Sequence, residues 1–475
     1  MIGILSYGAY VPVWRISREM IATAMGVYSA GGERAVAAWD EDTVTMAVEA
    51  AMDCLGGMDT KEIDSVYFAT VSPPFKEKQS SAFIASALDL SDSVRTCDFT
   101  DSTRAATSAL QAAFNEIKAG VARKVLVIAA DCRPVGPRSI DEQLYGDGAA
   151  ALLIGDGDVQ ATVDRFSSLT DPIPGIWKRD GDEYPHSFDA RFDKKCGVLK
   201  DVPGAVQSLL SEAKLAVKDI SKFVISVPEP ASILDIARTL KLDPATQLES
   251  PLFNVVGFTG TAHCLLLLVA ALEKSKASQL IICANYGDGC DAVLIKTTST
   301  IEKSRDSHKG TGYVSKKKML RSYGRFREMK EAADPGSARK QGRASLVKYW
   351  RAQKWGIRRY GMRCNNCGTL QYPISTCCIK CGAMNKHTDV KLARTGKVFS
   401  YTHDLLMGPG GTASDGLNPC TRAIVDLDDK CRLFVEMTDN ETSEVEIGMP
   451  VELTFRILHE KNGFPFYGWR VRPVR

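Results

Sequence analysis

The sequence has no apolar run long enough to cross a membrane. Its longest, Cys264–Leu272, is nine residues, whereas a spanning helix needs about 20. The opening MIGILSYGAYVP is too brief and too polar for a secretory signal core, and is expected to be a short strand ending in a turn. A disulfide framework is also missing, because ten of the fourteen cysteines are scattered without regular spacing. These absences together lead to the expectation of a reducing, cytoplasmic location. Net charge is only +3, from 60 Lys+Arg against 57 Asp+Glu, so any charge argument has to be a local one.

What is present describes an ordinary globular protein: 475 residues, 44% hydrophobic and 25% charged, long enough for two or three domains. The local charge argument falls on residues 301–360, which hold 18 Lys+Arg against 5 Asp+Glu. Gly310, Gly312, Pro335, Gly336 and Gly342 punctuate this stretch. It reads as a basic linker with helical pieces.

The four cysteines with regular spacing are Cys364, Cys367, Cys378 and Cys381, a C-x2-C-x10-C-x2-C array. Each C-x2-C turn supplies two thiolates from one knuckle, and two knuckles complete the tetrahedron that Zn²⁺ takes in closed, structural sites. The neighbouring Cys377 is an alternative to Cys378, but the C-x2-C spacing favours Cys378. A zinc ribbon is a scaffold, so the chemistry belongs elsewhere.

Ahead of the linker, short apolar runs alternate with helical patterns. Ser65–Thr70, Lys124–Ala130, Phe223–Val227, Gln279–Cys283 and Ala292–Ile295 read as strands, and Ser80–Leu88 and Arg104–Lys118 as helices. This alternation predicts an α/β architecture with buried sheets. Y-G-D-G occurs at Tyr145–Gly148 and again at Tyr286–Gly289, a hint of internal duplication. After the ribbon the period changes to two: Gly396–Thr402, Arg422–Val425, Cys431–Glu436, Pro450–Ile457 and Phe466–Arg472 read as five short strands of a small OB-type barrel, with a turn at Gly408–Gly411.

Several segments carry a family resemblance: GILSYGAYVPVWRI at the start, Asp40–Ala47, Trp177–Asp180, Tyr184–His186 and Arg191-Phe192. In these the first 300 residues resemble the thiolase superfamily, in the branch of hydroxymethylglutaryl-CoA synthase. The last 120 or so resemble the rubredoxin-type zinc ribbon and OB-fold domain that accompanies acyl-CoA thiolases. The resemblance implies a five-layer αβαβα fold over residues 1–298, a zinc ribbon over 361–386 and an OB fold over 387–475, with the basic linker expected between them over 299–360. It also implies a coenzyme A thioester as substrate or ligand, and a thiolase-type dimer or a hetero-oligomer with a catalytic subunit.

In that family a cysteine at a helix N-terminus takes the acyl group, while a histidine and a glutamate manage protons. Carried over residue by residue, Thr103 of Ser102–Thr107 stands at the cysteine. Val71 stands at the glutamate, Pro228 at the histidine and Phe258 at a later polar position. A threonine hydroxyl needs an adjacent base to become a nucleophile, and valine and proline move no protons.

The expectation is therefore an acyl-CoA-handling subunit with a degenerate site, working beside a catalytically complete thiolase-type partner. The alternatives are a self-sufficient synthase, a cysteine-free aldolase-like lyase on a β-hydroxyacyl-CoA, or a nucleic-acid-binding ribbon/OB protein. The acidic stretches Asp426–Asp429 and Glu441–Glu446 argue against the last. Replacement site candidates are Thr103 and His263, with the amides of Gly287 and Gly289 for a thioester oxygen.

Overall fold

The computed structural model describes residues 1–304, 308–333, 345–405 and 419–475. The turn expected at Gly408–Gly411, together with Pro335, Gly336 and Gly342, lies outside the described residues. The chain divides into two units. One comprises Met1–Ala37, Asp42–Ala85 and Leu90–Lys330; the other comprises Ala38–Glu41, Ser86–Asp89 and Glu331–Arg475.

The first unit is built on strands β1 (Ile2–Tyr10), β2 (Ser65–Ala69), β3 (Arg95–Phe99), β4 (Lys124–Asp131), β5 (Gly148–Asp156), β6 (Ala161–Thr170), β7 (Lys222–Ser226), β8 (Leu280–Tyr286) and β9 (Gly289–Thr297). They hydrogen-bond in the order β7-β8-β9-β6-β1-β5-β4-β2-β3. This sheet is two halves joined narrowly, because β1 meets β6 only through Gly3–Thr162 and Ile4–Ala161. Each half has a parallel part and an antiparallel pair. In one, β2 runs parallel to β4, and β4 pairs antiparallel with β5. In the other, β7 runs parallel to β8, and β8 pairs antiparallel with β9. The repeated Y-G-D-G leads into β5 in one half and into β9 in the other, which is the duplication hinted at by the sequence.

Helices α1 (Thr43–Leu55), α2 (Ala105–Lys118), α3 (Leu199–Ala213) and α4 (Ala262–Lys274) cover the sheet. The apolar run Cys264–Leu272 is explained by α4, in which every residue from Ala262 to Leu272 is buried. It packs against β5 of one half and β7 of the other. A helix apolar on all sides belongs inside a protein or inside a bilayer, and nine apolar residues suffice only for the first. No helix among the described residues is long and apolar enough to cross a membrane.

The segment expected to be a linker is, over residues 308–330, part of the first unit. The amides of Lys309 and Gly310 donate to the buried Asp53 carboxylate at 2.7 and 2.8 Å. Lys318-Met319 pairs with Trp14-Arg15, and Phe326 of helix α5 (Tyr323–Ala333) is fully buried among Ile16, Val36 and Phe258. Its cations are spent on acids of the same unit: Arg327 on Glu142 at 2.8 Å and Lys330 on Asp147 at 3.2 Å. Arg327 and Lys330 are therefore internal ion-pair partners and not part of a free basic surface.

In the second unit, β10 (Tyr360–Cys364), β11 (Leu370-Gln371) and β12 (His387–Lys391) form the ribbon. The barrel follows with β13 (Thr395–Asp404), β14 (Cys420–Leu427), β15 (Arg432–Glu436), β16 (Pro450–Lys461) and β17 (Phe464–Pro473), ordered β15-β14-β13-β16-β17. All five period-two segments are strands, each longer at one end or both than its alternation suggested, except Arg432–Glu436. The segment Ala38–Glu41 is tied to this barrel by buried charge. Arg456 lies 2.9 Å from Glu41 and 3.6 Å from Asp40, and Arg470 lies 3.3 Å from Asp40. The Ile457 amide donates to the Asp40 carbonyl at 3.0 Å.

Candidate functional site

The positions singled out in the sequence converge where α2 begins and where the β8–β9 hairpin turns. Ser102 and Thr103 lead into α2 without supplying a side-chain cap. Thr103 Oγ1 donates to the Tyr286 carbonyl at 3.0 Å, and Ser102 Oγ donates to Asp288 Oδ2 at 2.7 Å. The turn Gly287–Gly289 lies directly against them: a methyl on Gly287 would stand 2.6 Å from Thr103 Oγ1 and 3.0 Å from the Arg104 amide. Glycine is required there by closeness. At Gly289 it is required twice, by a φ of 108° and by the Leu169 carbonyl 2.0 Å from any added Cβ.

Behind this contact lies a polar layer that the sequence did not single out. Asn285 Nδ2 donates to the Thr103 carbonyl and to Thr107 Oγ1, both at 3.4 Å. Thr107 in turn donates to Asp291 Oδ2 at 2.7 Å, and Asp291 lies 3.6 Å from Arg104. These groups fix the entry of α2 against β8 and β9. None of the groups bonded to the Thr103 hydroxyl is a base: its one partner is a backbone carbonyl.

The structure separates the other candidates. Val71 donates its amide to Asp131 Oδ1 at 2.9 Å. Pro228 follows β7 in a loop where Glu229 accepts from Ser232 at 3.2 Å. Phe258 is buried in an apolar cluster with Tyr145, Phe326 and Met329. His263 lies inside α4, its ring edge-on to Phe258 and its Nδ1 3.3 Å from Thr259 Oγ1. Burial drives its pKa down to about 3, so it is neutral over the whole ordinary range and does not touch Thr103. Of the two expected thioester-oxygen donors, Gly287 and Gly289, the structure corrects the first. The Gly287 amide already donates to the Gly289 carbonyl at 2.9 Å, which leaves it no proton to offer a ligand.

Asp131, at the end of β4, is the residue sequence reasoning missed. Fully buried, it accepts five hydrogen bonds: from Thr70 Oγ1 (2.8 Å), Val71 N (2.9 Å), Ser72 N (3.0 Å), Ser72 Oγ (2.6 Å) and Thr261 N (2.6 Å). It binds the loop after β2 to the start of α4. A lone acid closing the apolar run Lys124–Ala130 was the available signal.

In the second unit the Sγ atoms of Cys364, Cys367, Cys378 and Cys381 lie within 4.8 Å of one another. Cys367–Cys378 is 3.6 Å and Cys364–Cys381 is 3.7 Å. Four sulfurs 2.3 Å from a tetrahedral Zn²⁺ are about 3.8 Å apart, so the spacing fits the ion. The knuckles are closed by Gly368 N to Cys364 O (2.9 Å) and Gly382 N to Cys378 O (3.0 Å). Cys377 stays out of the group and turns its thiol to the Cys378 carbonyl.

Comparison with known proteins agrees with this division. A family model described as ChsH2, rubredoxin-like zinc ribbon domain, matches residues 360–385, and one described as ChsH2, C-terminal OB-fold domain, matches 389–456. The hydroxymethylglutaryl-CoA synthase of Thermococcus onnurineus is 31% identical over 328 residues, which is 67% of this chain and 93% of the relative. The chain belongs to the hydroxymethylglutaryl-CoA synthase family. The Pyrococcus horikoshii synthase is 30% identical over the same shares of both chains. Among solved structures, MvaS in complex with 3-hydroxy-3-methylglutaryl coenzyme A superposes with a TM-score of 0.63 at 20% identity, over 69% of this chain and 91% of that one. PksG, a synthase from Bacillus subtilis, gives 0.62 at 18%, over 70% and 88%. These two show the thiolase-type fold. The family members matched here cover the first unit, and the ribbon and barrel are additional to them.

Proposed function

We propose that the protein binds acyl-CoA thioesters in its synthase-type unit without taking the acyl group onto a side chain. In this reading it serves a thiolase-type carbon–carbon system whose covalent step belongs to a partner subunit. The observation that carries the proposal is the Thr103 hydroxyl, held at 3.0 Å by the Tyr286 carbonyl. A hydroxyl tied to a carbonyl, with no imidazole or carboxylate to take its proton, is a hydrogen-bond donor and not a nucleophile. Val71, Pro228 and Phe258 supply no acid or base at the other positions of the family pattern.

The four-cysteine group suits a Zn²⁺ held by Cys364, Cys367, Cys378 and Cys381, with no open position for a substrate. Such an ion contributes folding energy to the ribbon. The buried arginines of the barrel, Arg456, Arg470 and Arg472, are matched by Asp40, Glu41, Asp439 and Glu452. They are therefore not a surface for phosphates, which weighs against a nucleic-acid role.

The test has two parts. Calorimetric titration of the full chain with acetyl-CoA and with a β-ketoacyl-CoA is expected to show saturable binding, with no thioester hydrolysed or condensed by the chain alone. Purification from the native host is expected to bring down a thiolase-type subunit that restores turnover. Turnover by the homogeneous chain would contradict the proposal.

A further inference from the structure

Asp201, in the first turn of α3, is fully enclosed, and neither oxygen of its carboxyl has a hydrogen-bond partner. Among the described residues it is the one acid whose two oxygens are both buried and unbonded. The other enclosed acids of the first unit are well supplied. Asp131 accepts five hydrogen bonds. Asp53 accepts the amides of Ala9, Lys309 and Gly310, and Asp147 takes the Ala37 amide and the Lys330 ammonium. A buried carboxylate with neither donor nor cation is costly, so Asp201 calls for a positive partner.

What faces Asp201 is a second acid. Asp171, directly after β6, presents its carboxyl to that of Asp201. Asp193 and Asp288 add negative charge around the neighbouring Tyr286 ring. One cation stands beside the pair: Lys200 Nζ is 2.7 Å from Asp171 Oδ2 but 4.0 Å from Asp201 Oδ1. The lysine side chain is 65% exposed, so water screens its charge, and a single ammonium leaves one of two carboxylates unbalanced. Two carboxylates that meet in this way, one with both oxygens unused, suit a hard divalent cation. Mg²⁺ is typically held through one or two carboxylates and keeps several of its waters.

We propose that Asp171 and Asp201 are the protein ligands of a divalent cation of the Mg²⁺ class, bound between the end of β6 and the first turn of α3. The proposal stands independently of the acyl-CoA reading. The Asp171 amide donates to the Asp288 carbonyl at 3.2 Å, so an ion here ties α3 to the glycine turn that Thr103 and Ser102 touch.

The test uses the full, zinc-loaded chain without CoA, whose phosphates themselves bind metals. Free Mn²⁺, followed by electron paramagnetic resonance, is expected to be taken up at one ion per chain and released by Mg²⁺. Asp201→Asn and Asp171→Asn are each expected to weaken the uptake by more than the roughly tenfold that a supporting residue costs. Lys200→Met removes the competing ammonium and is expected to tighten it. Lys200 is exposed, so this variant keeps the test open if an Asn variant does not fold. No uptake at millimolar Mn²⁺ would overturn the proposal and leave a proton as the occupant of the pair. Uptake undiminished in either Asn variant, or unchanged or weaker in Lys200→Met, would overturn it by placing the ion elsewhere.

Discussion

At the scale of single residues, the first unit is governed by carboxylates that sit where water does not. Asp131 has five donors and no cation among them. Asp131→Ala leaves two loop amides, the Thr261 amide and two hydroxyls seeking acceptors, at about 1–3 kcal/mol for each that stays buried and unmet. Urea denaturation of the variant is expected to show a loss of at least about 3 kcal/mol, and an unchanged midpoint would show that the loops do not depend on it. Asp201 is the opposite case, fully buried with no donor to either oxygen. Burial, and then the neighbouring Asp171, lifts its pKa from 3.8 to about 6. The folded state therefore holds this proton more tightly than the unfolded chain does. The associated stability is complete below about pH 4 and is lost as the pH rises through about 6. Asp201→Asn imitates the protonated form, so its melting temperature is expected to exceed the unaltered protein's at pH 8, the two converging towards pH 4. A constant difference across that range would refute the assignment.

At the scale of elements, the strands and the ribbon were legible because their signals are local. Alternation of period two announced all five barrel strands, and C-x2-C knuckles announced the metal group. Metal analysis is expected to find one zinc per chain, lost on Cys378→Ser and retained on Cys377→Ser. Retention in both would mean that the two cysteines exchange roles. The segment 308–330 was not legible. Its composition is that of a tether, and its fate is decided by Asp53, Glu142 and Asp147, which lie far from it in sequence. Within the second unit, Asp40 is the anchor of Ala38–Glu41 to β16 and β17. Removing one partner of a buried ion group costs about 3–5 kcal/mol, so Asp40→Ala is expected to lower stability by that order in chemical denaturation. A loss below about 1 kcal/mol, the worth of an exposed pair, would show that the charges are hydrated.

At the scale of the whole molecule, a synthase-type unit and a ribbon–barrel unit occur in one chain, and the first has the thiolase-type fold. At the glycine turn beside the head of α2, the side chain facing Gly287 is a threonine bonded to a carbonyl, and the proposed function rests on that contact. The fold could be read from motif order, whereas the proposed absence of covalent chemistry is argued from which atoms stand at each motif position. Intact-mass spectrometry of the full chain after incubation with excess acetyl-CoA, quenched in acid, tests this most directly. The expected spectrum contains the unmodified chain alone; an acetyl adduct that survives the quench on Thr103 or any other side chain would contradict the account.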